Sequence, residues 1–171
     1  MNADDGGVAC APWRALACAL LCAWAPLAIA GDLAGPELGG GQLASISQAG
    51  QLNMAAIDQR GPEQHAQLVQ DGFNNRLEVW QSGGHGNTVS ARQQGSGNSA
   101  LLTQSGEGHE LLLDQRGDAN IANVAQHGAG RMALIEQFGN GNRVDLVQGA
   151  SSPAVSLRQS GNNNVATLIQ H

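Results

Sequence analysis

The chain has 171 residues, 42% of them apolar, yet it is only 3% aromatic and holds 24 Gly, no Tyr and no Lys. A compact core relies on aromatic volume, so this composition excludes an ordinary globular enzyme. The formal charge of -6 excludes the electrostatic footprint of a nucleic-acid or anionic-membrane binder.

Residues 15–30 (ALACALLCAWAPLAIA) follow Arg14 and close with Ala28-Ile29-Ala30 ahead of Gly31, which reads as a secretory signal peptide over residues 1–30. Pro26 interrupts an apolar run too short for a membrane span of about 20 residues. Cys10, Cys18 and Cys22 all lie in this leader, so residues 31–171 contain neither a disulfide nor a thiolate site. An exported chain without disulfides needs another source of stability. Residues 31–41 form a short Gly-rich lead-in.

From residue 42 onward the chain repeats. Gln48, Gln59, Gln70, Gln81, Gln93, Gln104, Gln115, Gln126, Gln137, Gln148, Gln159 and Gln170 follow one another at a spacing of 11, broken once by 12 between Gln81 and Gln93. Two residues before each stands an aliphatic residue, from Ile46 to Leu168, and four before it only Ala, Val or Leu. Side chains alternate faces along a strand, so constant identities at every second position describe the inward face of a short strand. The residues between, among them Asp58, Trp80, Arg92, Asp114, Glu136 and Arg158, face outward. On that face the column Arg92, Asp114, Glu136, Arg158 is expected to form two attractive steps around a repulsive one, and Ala125, Val147 and Ile169 an apolar column below Trp80.

Two residues after the Gln stands a turn glycine: Gly50, Gly61, Gly72, Gly83, Gly95, Gly106, Gly117, Gly128, Gly139 or Gly161, with Ala150 the exception. A residue free to take positive φ is the usual solution for a tight reversal. Six residues before every second Gln stands Asn: Asn53, Asn75, Asn98, Asn120, Asn142 and Asn164. The alternate strands carry Gln42, Gln64, Asn87, His109, Arg131 and Pro153 there, so 22 is the structural period and 11 its half.

The expected fold is therefore all-β: residues 42–171 form a β-solenoid of six 22-residue strand–loop–strand rungs, with two parallel six-stranded sheets facing each other. At about 4.8 Å per rung it rises roughly 28 Å, and the extra residue bulges near Gly83-Gly84-His85-Gly86. In a column of identical amides, each carbonyl accepts from the neighbouring rung only when the rungs are in register. The Gln and Asn columns are thus the candidate residues for stacking and for polymerisation. The last strand runs to Gln170-His171 without a polar capping element, and an uncapped rung is a template for another copy. Head-to-tail addition into a cross-β fibre is the expected consequence.

The units from Gln93 to Gln104 (QQGSGNSALLTQ) and from Gln137 to Gln148 (QFGNGNRVDLVQ) closely resemble the curlin repeat of bacterial curli fibres, and the resemblance extends over residues 42–170. It implies a secreted amyloid subunit of a Gram-negative biofilm matrix that serves adhesion. The implied partners are further copies of itself, another curlin subunit, and an outer-membrane secretion channel with its accessory factors. Curlin repeats usually open with Ser where this chain has Gln42, Gln64, Asn87, His109, Arg131 and Pro153, which leaves major subunit and surface nucleator open, with the fibre-forming subunit preferred.

No catalytic, cofactor or metal site is expected. His127 and His171 share a column two rungs apart, roughly 10 Å, too far to hold one zinc ion together, and the other His read as surface or turn residues. Arg116-Gly117-Asp118 matches the tripeptide that integrins recognise, but the repeat itself demands Gln115 and Gly117. A solenoid enzyme would need longer loops. A monomeric ice- or glycan-binding module would need a regular outward array, and a small-molecule substrate finds no obvious place.

Overall fold

The computed structural model describes residues 15–20, 28–30, 40–149 and 154–171. The rest of the signal-peptide reading, most of the lead-in, Ala150 and Pro153 lie outside the described residues. Fourteen strands follow in chain order: β1 (Ala15–Leu20), β2 (Ala28–Ala30), β3 (Leu43–Gln51), β4 (Met54–Gln59), β5 (His65–Phe73), β6 (Arg76–Ser82) and β7 (Thr88–Ser96), then β8 (Ser99–Glu107), β9 (Glu110–Arg116), β10 (Ile121–Ala129), β11 (Met132–Phe138), β12 (Arg143–Gln148), β13 (Val155–Ser160) and β14 (Val165–Gln170). The last twelve build six rungs. Their even-numbered members pair in parallel in the order β4-β6-β8-β10-β12-β14, and their odd-numbered members in the order β13-β11-β9-β7-β5-β3.

Each sheet carries a seventh strand beyond the six expected. β1 adds antiparallel to β4, Ala15 opposite Gln59, and β2 adds antiparallel to β3, Ala28 opposite Gln48. Both come from the stretch that reads as a leader, and both lie on the N-terminal edge of the solenoid.

Register follows the repeat. Gln59 pairs with Gln81 and Gln81 with Gln104, and on the other sheet Gln70 pairs with Gln93, so the extra residue is taken up between β6 and β7 without shifting the columns. A slip of one residue would turn every aliphatic side chain outward, which is why each inward triplet keeps its phase. The core is a narrow seam of small and branched residues from both sheets: Ala55, Ala66, Ala100, Ala122 and Ala133 with Ile57, Leu68, Leu102, Leu113 and Leu146, all nearly inaccessible. Each buried Leu or Ile contributes about 1.5–3 kcal/mol by leaving water. Polar columns flank that seam on both sides.

The turn glycines have two reasons to be glycine. All ten take φ between 95° and 128°. In addition, a Cβ on Gly106 would overlap the carbonyl oxygen of Gly128 in the rung above, and one on Gly72 that of Gly95. Stacking at the strand spacing leaves no room for a side chain at this corner.

Candidate functional site: the stacked amide columns

The inward phase of each strand delivers its final Gln to the end of the core, where it must be paired or pay desolvation. Gln59 through Gln148 are at most 1% exposed, and Gln159 is 7% exposed. On the odd sheet, Nε2 of Gln48 donates to Oε1 of Gln70 (2.7 Å), Gln70 to Gln93 (2.8 Å), Gln93 to Gln115 (2.8 Å), Gln115 to Gln137 (2.7 Å) and Gln137 to Gln159 (2.8 Å). On the even sheet Gln59, Gln81, Gln104 and Gln126 donate in the same sense to Gln81, Gln104, Gln126 and Gln148 at 2.8–2.9 Å. The second amide hydrogen crosses to the opposite sheet: Gln70 donates to the carbonyl of Met54 and Gln104 to that of Thr88, both at 3.0 Å. Every ladder bond thus points from the N-terminal rung toward the C-terminal one.

The Asn column runs the other way. Nδ2 of Asn75, Asn98 and Asn120 donates at 3.1 Å to Oδ1 of the Asn one rung below, and the same Oδ1 also accepts the backbone N–H of Asn75, Asn98 or Asn120 itself at 3.0 Å. The remaining hydrogen of Asn75, Asn98, Asn120 and Asn142 closes on the turn carbonyl of Gly95, Gly117, Gly139 and Gly161 at 2.7–2.8 Å. Asn164 keeps its bond to Asn142 (2.9 Å) but is half-exposed at the last rung. Each Asn therefore ties a turn to the rungs on both sides of it.

Two features escaped the sequence reading. The turn residues Asp118, Asn140 and Asn162 form a further column, in which their Oδ1 atoms accept the backbone N–H of Ser96, Asp118 and Asn140 at 2.9 Å. Its identities vary too much for a repeat pattern to betray it. The other is His109, expected as a surface or turn residue. It sits in a turn but is 1% exposed, because its column is the opposite-corner counterpart of the Asn column: Gln64 and Asn87 donate there to Gly84 and Gly106 (both 2.8 Å). His109 Nδ1 accepts the backbone N–H of Arg131 (3.1 Å), and Nε2 faces the carbonyl of Ser105 (3.3 Å). That pairing requires the neutral ring. Burial, with Arg131 and His127 nearby, holds its pKa below the usual histidine value, against the opposing pull of the Ser105 and Gly128 carbonyls.

On the outward face the register keeps the expected column Arg92, Asp114, Glu136 and Arg158, and one of its two attractive steps forms an ion pair. Asp114 pairs along its own strand with Arg116 (2.7 Å), while Glu136 and Arg158 lie 3.9 Å apart. Asp58 with Arg60, Glu78 with Arg76 and Asp145 with Arg143 repeat the same-strand arrangement, since outward residues two apart meet without a neighbouring rung. Arg116 and Arg158 also lie over the Phe138 ring. Arg116 and Asp118 are thus both engaged, which weighs against the integrin-type tripeptide. No group of three or more His, Cys, Asp or Glu suited to a metal ion occurs among the described residues.

With the ladders in view, the comparison with known families is decisive: the model of the curlin-associated repeat matches residues 84–117 and 117–149. Residues 84–149 carry curlin-associated repeats. The matches take in the rungs from β7 to β12 and leave out the first two and the last. No curated protein and no solved structure gives a match. Curlin repeats on a β-solenoid fit a curli-like structural protein.

Proposed function

We propose that this protein is the structural subunit of an extracellular functional-amyloid fibre, built by head-to-tail stacking of solenoids and serving adhesion and biofilm matrix. The observation that carries the reading is the common polarity of the two Gln ladders. It leaves Oε1 acceptors of Gln48 and Gln59 at one end and Nε2 donors of Gln159 and Gln170 at the other. A second copy placed rung on rung continues both columns, Gln159 to Gln48 and Gln170 to Gln59, and covers Val165 and Ile169, which are 70% and 57% exposed. β1 and β2 occupy the opposite edge, and removal of the leader frees it.

Secretion through an outer-membrane curli channel and contact with another curlin subunit follow from the resemblance and belong to the same proposal. Thioflavin fluorescence and fibre diffraction on the purified chain without its leader test it. The expected result is fibres with reflections near 4.8 and 10 Å; a chain that stays monomeric through long incubation overturns it. Deletion in the producing bacterium then separates the roles: loss of the whole matrix marks the main subunit, release of soluble subunit the nucleator.

A further inference from the structure

Trp80 is the one Trp among the described residues, and it points away from the core, 48% exposed. It lies in an open groove of about 420 Å³ on the even sheet, lined by Asp58, Arg60, Glu78, Leu101 and Thr103 among others. The register places Asp58 directly beside it on β4 and Thr103 directly beside it on β8, while Glu78 adjoins Leu101. An indole costs much to leave in water, and the solenoid does not need this one, since the other outward positions of its column hold Asp58, Thr103, Ala125, Val147 and Ile169.

The chemistry around the ring narrows the occupant. Both carboxylates are already matched, Asp58 by Arg60 and Glu78 by Arg76, so the groove calls for neither a cation nor an anion. It still offers oxygen lone pairs, guanidinium donors and a Thr hydroxyl around an apolar plate. A lateral second copy would have to desolvate two ion pairs around a single ring. A neutral polyhydroxylated ring leaves those pairs intact, laying its C–H face on the electron-rich indole and turning its hydroxyls to the flanking polar groups. We propose that Trp80, Asp58, Glu78 and Thr103 form a saccharide-binding site for a neutral polysaccharide. One site needs only the single chain. If copies stack as proposed above, sites recur about every 28 Å and a long glycan gains avidity by engaging several.

The test is titration of the freshly prepared soluble chain with cellohexaose, followed by saturation-transfer NMR and calorimetry, with dextran sulfate in parallel and thioflavin read on the same samples. Saturable binding to cellohexaose is expected. Trp80→Ala should weaken it by about tenfold or more, as loss of an aromatic anchor does; Trp80→Phe should retain most of it, and Val147→Ala on the same face all of it. Absence of binding, equal binding by Trp80→Ala, or binding to dextran sulfate alone overturns the proposal. Binding by a chain that forms no fibres upholds the site and overturns the fibre reading, whereas fibres without binding do the reverse.

Discussion

A buried amide in this molecule has its partners only because the rungs above and below supply them. Gln104 accepts from Gln81, donates to Gln126 and donates again to the Thr88 carbonyl. Gln104→Ala therefore strands a donor on one side and an acceptor on the other, and should destabilise by about 1–3 kcal/mol, read as a lower urea midpoint; an unchanged midpoint would remove the ladder from the account of stability. Turn corners make a second residue-scale case. Ala119 holds φ of 55°, at a position where Gly97, Gly108, Gly130 and Gly141 stand in related turns. Relief of the left-handed strain by Ala119→Gly should outweigh the added unfolded-state entropy and stabilise by up to about 1 kcal/mol. Gly106→Ala should do the opposite and more strongly, since its Cβ meets the Gly128 carbonyl as well. Thermal melts of the two variants compare the effects directly.

Among the elements, the corner that joins the even strands to the odd ones is the weaker of the two. The column Gln64, Asn87, His109, Arg131 begins with amides and then gives way to an imidazole and a guanidinium, whereas the Asn column is uniform. His109 is neutral in the folded chain and its pKa is lowered there, so the unfolded chain binds the extra proton first. Stability is complete above the unfolded value of about 6.5 and falls as pH drops below it, by at most about 1.4 kcal/mol per pH unit. The loss should begin in the rungs of β9 to β11. His109→Asn restores the amide of Asn87 and should flatten the pH dependence between pH 7 and pH 5; proteolysis or urea titration at the two pH values measures it, and an equal slope in both proteins would exclude His109 as the cause. This column was legible in the sequence only as a set of positions without Asn. That His109 is buried could not be read there, because one residue type per rung carries no periodic signal.

For the whole molecule, the question is what the last rung exposes. In the parallel ladder the outward residues direct their N–H groups toward the following rung, as Glu110 does to Arg131, Ile121 to Asn142 and Arg143 to Asn164. By the same alternation Thr167 directs its N–H to the free edge of β14. Thr167→Pro removes a donor that no bond among the described residues uses, so it should leave the solenoid folded while slowing seeded elongation. Thioflavin kinetics beside circular dichroism show whether growth is lost without the fold; growth at the parental rate would argue against stacking through this edge.

Period, phase and polarity class were determined by the sequence alone. A spacing of 11 with aliphatics at every second position admits one kind of strand, and Gly two residues past each Gln admits one kind of turn, so the solenoid, its inward residues and the bulge near Gly84 follow from local rules. The direction of each amide bond, the opposite sense of the Asn column, the added column at Asp118, Asn140 and Asn162, the same-strand ion pairs and the groove at Trp80 were decided only in three dimensions. They depend on which atoms meet across a rung of fixed height, and a repeat of residue types records that a rung exists without recording which way its side chains turn.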